Sequence, residues 1–221
     1  MIGTLMKEVA VILSKHIDDY TCAVNPSYQA NTLYNALKDT EKAKGRLLYY
    51  YPLGGGEEKK DENAAEDSWI GWHNDSGFLT CLSGGIFLQP DGTILDKSPS
   101  EEAGLYVVNR QDEVLRVKLP ADCMGIQIGE CTQILTGGAV VATPHCVRGA
   151  PGIARTSLAC FIDTPPAYPL TSPPGGATTD LLAKSSSRVP PLAKRWTDGM
   201  AFGDFLGKTF EMYYEFASKG E

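Results

Sequence analysis

Trp69-Ile70-Gly71-Trp72-His73-Asn74-Asp75-Ser76-Gly77-Phe78-Leu79-Thr80 sets an imidazole and a carboxylate two residues apart inside an apolar, aromatic run that reads as a β-strand. Side chains i and i+2 of a strand share a face, so His73 and Asp75 can converge on one metal ion while Asn74 points away. The pair alone decides little. With three His and 14 Asp in the chain, a chance His-x-Asp would turn up in roughly one in five such sequences. The rest of the sequence has to supply the context.

At 221 residues the chain can bury one substantial core, and an all-β barrel or sandwich of this length is commonly a single domain. Its formal charge of −7, from 20 basic and 27 acidic residues, repels polyanions and argues against nucleic acid and anionic membrane as partners. The apolar start, 1–13, is broken by Lys7 and Glu8, and no stretch approaches a membrane span or reads as a targeting signal. The six Cys show no C-x-x-C spacing, and a chain of this size needs no disulfide framework. A cytoplasmic protein with reduced thiols is the expectation.

Residues 1–20 carry Ile2, Leu5, Met6, Val9, Ile12 and Leu13 at helical spacing and are expected to bury that stripe; a second helix is expected over 31–42. His16, at the hydrophilic end of the first, reads as a surface histidine. Residues 46–51 read as a strand stopped by Pro52, and 54–67 as a mobile, solvated loop. No helix with a Lys-Ser/Thr pair follows Gly54-Gly55-Gly56, so it makes no phosphate cradle.

Two hairpins are expected: 86–89 with 93–95 around Pro90-Asp91-Gly92, and 104–108 with 114–119 around a polar turn. Further strands are expected at 125–128, 132–135, 139–147 and 154–163, with Thr136-Gly137-Gly138 joining the middle two. Closing or doubling such an antiparallel sheet buries its apolar face and limits its edges. The predicted fold is therefore mainly β, a jelly-roll core with flanking N- and C-terminal α-helices. A helical segment over 1–45 precedes the core at 46–163, and 164–221 follows as a Pro-rich arm and a helix. The arm holds seven of the fourteen prolines within 164–191. The helix begins at Trp196, and its stripe of Phe202, Phe205, Leu206, Phe210, Tyr213, Tyr214 and Phe216 is expected to dock on the core.

His145 follows Pro144 in one of these strands. Two His and one carboxylate on rigid strands, with no fourth protein ligand, match the facial triad of non-haem Fe(II), which leaves coordination positions open. A structural zinc site would want four closed ligands, commonly thiolates, and the Cys are not spaced to provide them. Arg155 and Ser157 share a strand face with Ala159 and Phe161. An arginine aimed into a mostly apolar barrel is costly unless paired. A ligand carboxylate satisfies it, because the planar guanidinium takes both oxygens in a fork while the Ser157 hydroxyl adds a third hydrogen bond. An ordinary intramolecular ion pair is the competing reading.

On these residues the chain resembles the 2-oxoglutarate and Fe(II)-dependent oxygenases, and within them the isopenicillin N synthase-like branch. The resemblance is carried by His73-Asn74-Asp75 with Gly77 and Phe78, Ile126-Gln127-Ile128-Gly129-Glu130, Gln133-Ile134-Leu135-Thr136-Gly137-Gly138, His145 and Arg155-Thr156-Ser157. It runs from about residue 46 to 163, with a weaker echo in the C-terminal helix. It implies a double-stranded β-helix in which His73, Asp75 and His145 are the catalytic ligands of Fe(II). Arg155 and Ser157 would bind the far carboxylate of 2-oxoglutarate, and Tyr51 resembles the tyrosine that helps orient this cosubstrate. The implied reaction uses O2 to hydroxylate or desaturate a small organic substrate as 2-oxoglutarate is decarboxylated to succinate, with ascorbate as accompanying reductant.

The chain departs from the family in having Tyr49 where many relatives have Asn, Glu130 for a frequent Asp, and Cys146 where Arg often follows the histidine. Alternation turns Cys146 away from the metal as a packed thiol. The helical and strand region that many relatives carry ahead of the core is mostly missing, as expected of an abbreviated member or a partial gene product. Two rival readings fit the same fold: an iron oxidase that does not use 2-oxoglutarate, and a non-catalytic jelly-roll binding or regulatory protein.

Overall fold

Alternation along residues 154–163 puts Leu158, Cys160 and Ile162 on one face and Arg155, Ser157, Ala159 and Phe161 on the other. The first face packs under the N-terminal helix, with Cys160 and Ile162 buried against Met6 and Ala10. The second lines the barrel. The structure, a computed structural model, describes residues 2–53, 69–96, 100, 102–120, 122–174 and 187–218. The polar loop expected over 54–67 and part of the Pro-rich arm (175–186) lie outside the described residues.

In chain order the elements are α1 (Ile2–Val24), α2 (Thr32–Leu37), β1 (Lys42–Tyr50), β2 (Ile70–His73), β3 (Leu79–Leu82), β4 (Ile86–Leu88), β5 (Ile94–Leu95), β6 (Gly104–Val108), β7 (Val114–Arg116), β8 (Gly125–Ile128), α3 (Glu130–Leu135), β9 (His145–Arg148), β10 (Ala154–Asp163), β11 (Pro169–Leu170), β12 (Met200–Ala201) and α4 (Phe202–Ser218). β10 organises a six-stranded sheet. One of its edges pairs with β1 along its length, and the other pairs first with β4 and then with β3. β5 extends the sheet beyond β4, and β8 extends it beyond β3. A second sheet of four strands runs in the order β2-β9-β6-β7. Both expected hairpins form, β4 with β5 and β6 with β7, and every pairing in the two sheets is antiparallel. The fold is mainly β, a jelly roll with flanking helices.

One apolar cluster ties the chain together: Met6 and Ala10 of α1, Leu33 and Leu37 of α2, Phe78, Leu79 and Cys81, Ile134, Ile162, Leu170, Trp196, and Phe202 and Phe205 of α4. Phe78 lies at its centre, fully buried, edge-on to Tyr168 and Phe202 at 5.8 and 5.5 Å. Such aromatic pairs add about 0.5–1.5 kcal/mol each beyond their buried area.

Several expectations need correction. α1 is a helix, but it buries Met6, Ala10, Ser14, Ile17 and Thr21, leaving Ile2, Leu5 and Ile12 exposed. Small side chains at 10 and 14 let the helix approach the sheet closely, and Ser14 and Thr21 return their hydroxyls to the carbonyls of Val11 and Ile17. His16 is exposed, as expected. Asp18 is buried and accepts the N–H groups of Leu33 and Tyr34 at 3.0 and 2.8 Å, capping α2 from a distance. α2 ends at Leu37 rather than 42, because Thr40 bonds the carbonyl of Asp163 and accepts the Lys42 N–H, which starts β1 there.

The strand expected at 132–135 is instead helix α3, and all six of its residues are buried. With no exposed face it has no amphipathic period to read. It ends at Gly137 and Gly138, whose positive φ of 59° and 79° lets their N–H groups bond the carbonyls of Ile134 and Gln133. Only the end of the strand expected at 139–147 pairs, as β9, since Pro144 has no N–H to give. The last helix starts at Phe202 and not Trp196. It turns Phe202, Phe205 and Thr209 inward, while Phe210 and Tyr214 are exposed and the Phe216 side chain lies outside the description.

Candidate metal centre

β2 and β9 are antiparallel neighbours, with His73 directly opposite His145. This register sets the two imidazoles side by side, ring centroids 4.0 Å apart. Nδ1 of each ring faces a main-chain carbonyl, that of Gly71 at 2.8 Å and that of Thr143 at 3.2 Å. A ring that donates from Nδ1 carries its lone pair on Nε2, the arrangement that outer hydrogen bonds impose on metal-ligating histidines. Asp75 completes the group: its Oδ1 is 3.8 Å from His145 Nε2, and ligand atoms of all three residues lie within 4.8 Å of one another. Its other oxygen, Oδ2, is buried with no hydrogen-bond partner among the described residues. An unsatisfied carboxylate oxygen beside two imidazoles is a costly arrangement for an empty protein and the donor set that a divalent cation relieves.

Asp75 reaches this point by a route other than strand alternation. β2 ends at His73, and residues 74–78 leave the sheet. They are held by the start of α3, where the N–H groups of Gly129, Glu130 and Cys131 bond the carbonyls of Phe78, Asp75 and Gly77 at 2.9, 2.8 and 3.0 Å. A Cβ on Gly129 would sit 2.1 Å from the Gly77 carbonyl oxygen, so only glycine fits that junction.

Behind the loop lies a buried polar network that sequence reasoning missed. Arg195, 1% exposed, forks onto Glu130 through Nη1 and Nη2 at 2.7 and 2.6 Å. It also donates to Thr209 of α4 and to the Pro190 carbonyl. Glu130 in turn accepts the Asn74 side-chain amide at 3.0 Å, and Tyr213 of α4 accepts the Asn74 main-chain N–H at 2.9 Å. Asn74 does point away from the ligands, into this network. Burial and the nearby Glu130 push the Tyr213 phenol up to about 12, so it stays protonated. The only sequence signal was Glu130 itself, because nothing local marks Arg195 as buried.

Tyr213→Phe would strand the Asn74 N–H and free one side of the Asp75 loop. Outer partners of ligands are typically worth about 10- to 100-fold in metal affinity, so Co(II) titration of this variant is expected to show a loss of that order. A lower melting temperature with unchanged Co(II) affinity would make Tyr213 a purely structural contact.

Arg155 and Ser157 lie on the barrel-lining face of β10, both buried, with Arg155 Nη1 3.3 Å from Ser157 Oγ. Burial pulls the guanidinium below its usual range. No carboxylate among the described residues pairs with it. It stands between Tyr50 and Phe87, its partners in register on β1 and β4, with the Tyr50 ring 5.1 Å away. Tyr51 is not brought to this site: it lies past the end of β1, 75% exposed, against Tyr49. Tyr50 is the tyrosine at the guanidinium.

Burial, and next the adjacent His73 ring, push the His145 imidazole down to about 4. It is therefore neutral at neutral pH, as a ligand must be. Burial also raises the Asp163 carboxyl to about 6, against the pull of the Phe78 N–H, Lys44 and Arg46. Cys146 is buried on the opposite face of β9 from His145, as alternation predicts. Among the described residues no helix is long and apolar enough to cross a membrane.

No family model matches the chain, and no curated protein matches it. Solved structures do. A 2OG-Fe(II) oxygenase family protein from Caulobacter crescentus superposes with a TM-score of 0.63 at 20% identity over 96% of this chain and 57% of its own. A full-length protein of Neurospora crassa, in complex with alpha-KG and 5-formyluracil, gives 0.59 at 18% identity over 93% of this chain and 56% of its own. JOX2, in complex with 2OG, Fe and JA, gives 0.56 at 19% identity over 94% of this chain and 50% of its own. The chain thus spans a little over half the length of these proteins at most. What it shares with them, at such identities, is the fold of 2OG-Fe(II) oxygenases.

Proposed function

We propose that the protein is an Fe(II)- and 2-oxoglutarate-dependent dioxygenase of the isopenicillin N synthase-like branch, acting on a small organic molecule. His73, Asp75 and His145 would hold the iron, and Arg155 with Ser157 would take the far carboxylate of 2-oxoglutarate. Bound iron supplies the activation of dioxygen. The protein contributes placement: a neutral His145, a fixed Asp75 loop, a forked cation for the acid, and walls that exclude water. In the balanced reaction R–H, O2 and 2-oxoglutarate give R–OH, succinate and CO2; desaturation of the substrate would release water instead.

The observation that carries this reading is Arg155, a buried guanidinium without a carboxylate partner among the described residues, in the same jelly roll as a His-Asp-His group. An unpaired buried charge is expensive unless a ligand supplies the counter-charge. The role that the resemblance gives to Tyr51 falls more naturally to Tyr50, which faces the guanidinium. Aerobic incubation with Fe(II), 2-oxoglutarate and ascorbate is expected to release succinate even without the prime substrate, through slow uncoupled turnover. Folded protein that binds Fe(II) but releases none, with any candidate substrate, contradicts the proposal.

Gly85 gives a sharper test of the acid site. A Cβ there would lie 2.4 Å from Arg155 Nε, and the side chain, not the backbone, would yield. Gly85→Ala is therefore expected to leave thermal stability nearly unchanged while raising KM for 2-oxoglutarate by about tenfold or more, the worth of a displaced charge-assisted fork. Steady-state kinetics with 2-oxoglutarate as the varied substrate measures it, and an unchanged KM would place the acid elsewhere.

A further inference from the structure

Antiparallel partners share a face, so the barrel-lining side of the six-stranded sheet can be followed in rows across its strands. The row Tyr50–Arg155–Phe87 is the acid site already described. Six residues along β10, roughly 20 Å away, the row Lys44–Phe161–Thr80–Gln127 crosses β1, β10, β3 and β8. Arg46, one step back on β1, lays its guanidinium over the Phe161 ring, 5.0 Å from the centroid. Neither Lys44 nor Arg46 is within ion-pair distance of a carboxylate among the described residues, although both act on the Asp163 carboxyl from farther off.

Gln127, 8% exposed, has its Nε2 buried with no hydrogen-bond partner among the described residues. A buried amide donor left open is costly unless a ligand accepts from it. The same face continues to Asp163, whose Oδ1 accepts the Phe78 N–H at 3.3 Å from the loop that carries Asp75 of the metal group. This row therefore lies on the metal's side of the barrel, and a five-carbon diacid anchored at Arg155 does not extend to it. Two cations, an open amide donor and an aromatic ring gather here, although the chain as a whole carries −7.

We propose that Lys44, Arg46, Phe161 and Gln127 form the prime-substrate subsite, and that the substrate is a planar molecule bearing a carboxylate. Its ring stacks against Phe161, its acid meets Lys44 and Arg46, and a hydrogen-bond acceptor on it takes the Gln127 amide. The inference rests on the oxygenase reading for the identity of the neighbouring metal and acid sites.

The test uses 2-naphthoate and its uncharged counterpart 2-naphthamide, titrated by calorimetry into the full chain loaded with Co(II) and saturating 2-oxoglutarate, which keeps the acid probe away from Arg155. The naphthoate is expected to bind at least about tenfold tighter than the amide, and the double variant Lys44→Gln/Arg46→Gln, at two exposed positions, to erase that preference. Equal affinities, no binding of either probe, or a preference that survives the double substitution overturns the proposal. Failure of the oxygenase reading is distinguishable. Protein that gives no visible absorption with Fe(II) and 2-oxoglutarate loses that reading, whereas protein that gives it and treats the probes alike loses only the substrate class.

Discussion

Arg195→Ala is expected to cost about 3–5 kcal/mol of folding stability, the usual penalty for stranding one member of a buried ion pair. Glu130, 1% exposed, would keep only the Asn74 amide as a side-chain donor among the described residues. Thr209 and the Pro190 carbonyl would lose their partner as well, so the link between α4 and the rest of the chain would loosen. Chemical denaturation measures the loss. The paired replacement Glu130→Leu/Arg195→Met separates two roles of the network. Apolar substitutes of similar volume commonly restore or exceed the stability of a buried pair, yet they cannot hold Asn74. The double variant is therefore expected to melt near the wild-type temperature while binding Co(II) more weakly. A double variant with wild-type metal affinity would show that the network serves only the fold.

Asp75→Asn is expected to abolish metal binding with little harm to the metal-free fold. The substitution keeps the side-chain volume and leaves the Asp75 main-chain carbonyl bonded to the Glu130 N–H, because that bond belongs to the backbone. It removes a carboxylate whose Oδ2 is buried and unpartnered among the described residues. Relieving that desolvated charge offsets what the change disturbs, so the metal-free variant should be at least as stable as the wild type. The difference appears on adding metal. At a hundredfold excess over Kd a cation stabilises the native state by about 2.7 kcal/mol, and the variant is expected to show none of this shift in a thermal melt. A variant that still gains stability from Co(II) would mean that the ion is held without Asp75.

Much of the sheet was legible because alternation survives where a strand has two different faces. β10 reads directly from Arg155, Ser157 and Ala159 set against Leu158, Cys160 and Ile162, and the hairpins read from their turn residues. The elements that escaped are those whose surroundings erase the period. α3 is buried all round, so its residues look like a β-branched strand until Gly137 and Gly138 are taken as a helix end. The buried stripe of α1 follows close packing at Ala10 and Ser14, not the largest apolar residues.

At the site, the metal-ligating types could be picked from the sequence, but not the means by which they meet. His73 and His145 face each other through strand register, whereas Asp75 arrives on a loop tied to α3. Arg195 and Tyr213 act across a sequence distance that no local pattern encodes, and a buried arginine looks in sequence like any surface one. Tyr50 and Tyr51 differ by a single residue, and the register of β1 against β10 decides which one meets Arg155.

In the proposed enzyme an iron held by His73, Asp75 and His145 shares the barrel with an acid held by Arg155. Anaerobic addition of Fe(II) and then 2-oxoglutarate, followed by visible absorption, tests both halves at once. The wild type should develop the weak charge-transfer band of a metal-chelated 2-keto acid, Asp75→Asn should show none, and Arg155→Ala should need far more 2-oxoglutarate to reach it. Folded wild-type protein that develops no band at any 2-oxoglutarate concentration, or an Arg155→Ala variant that titrates like the wild type, contradicts the account.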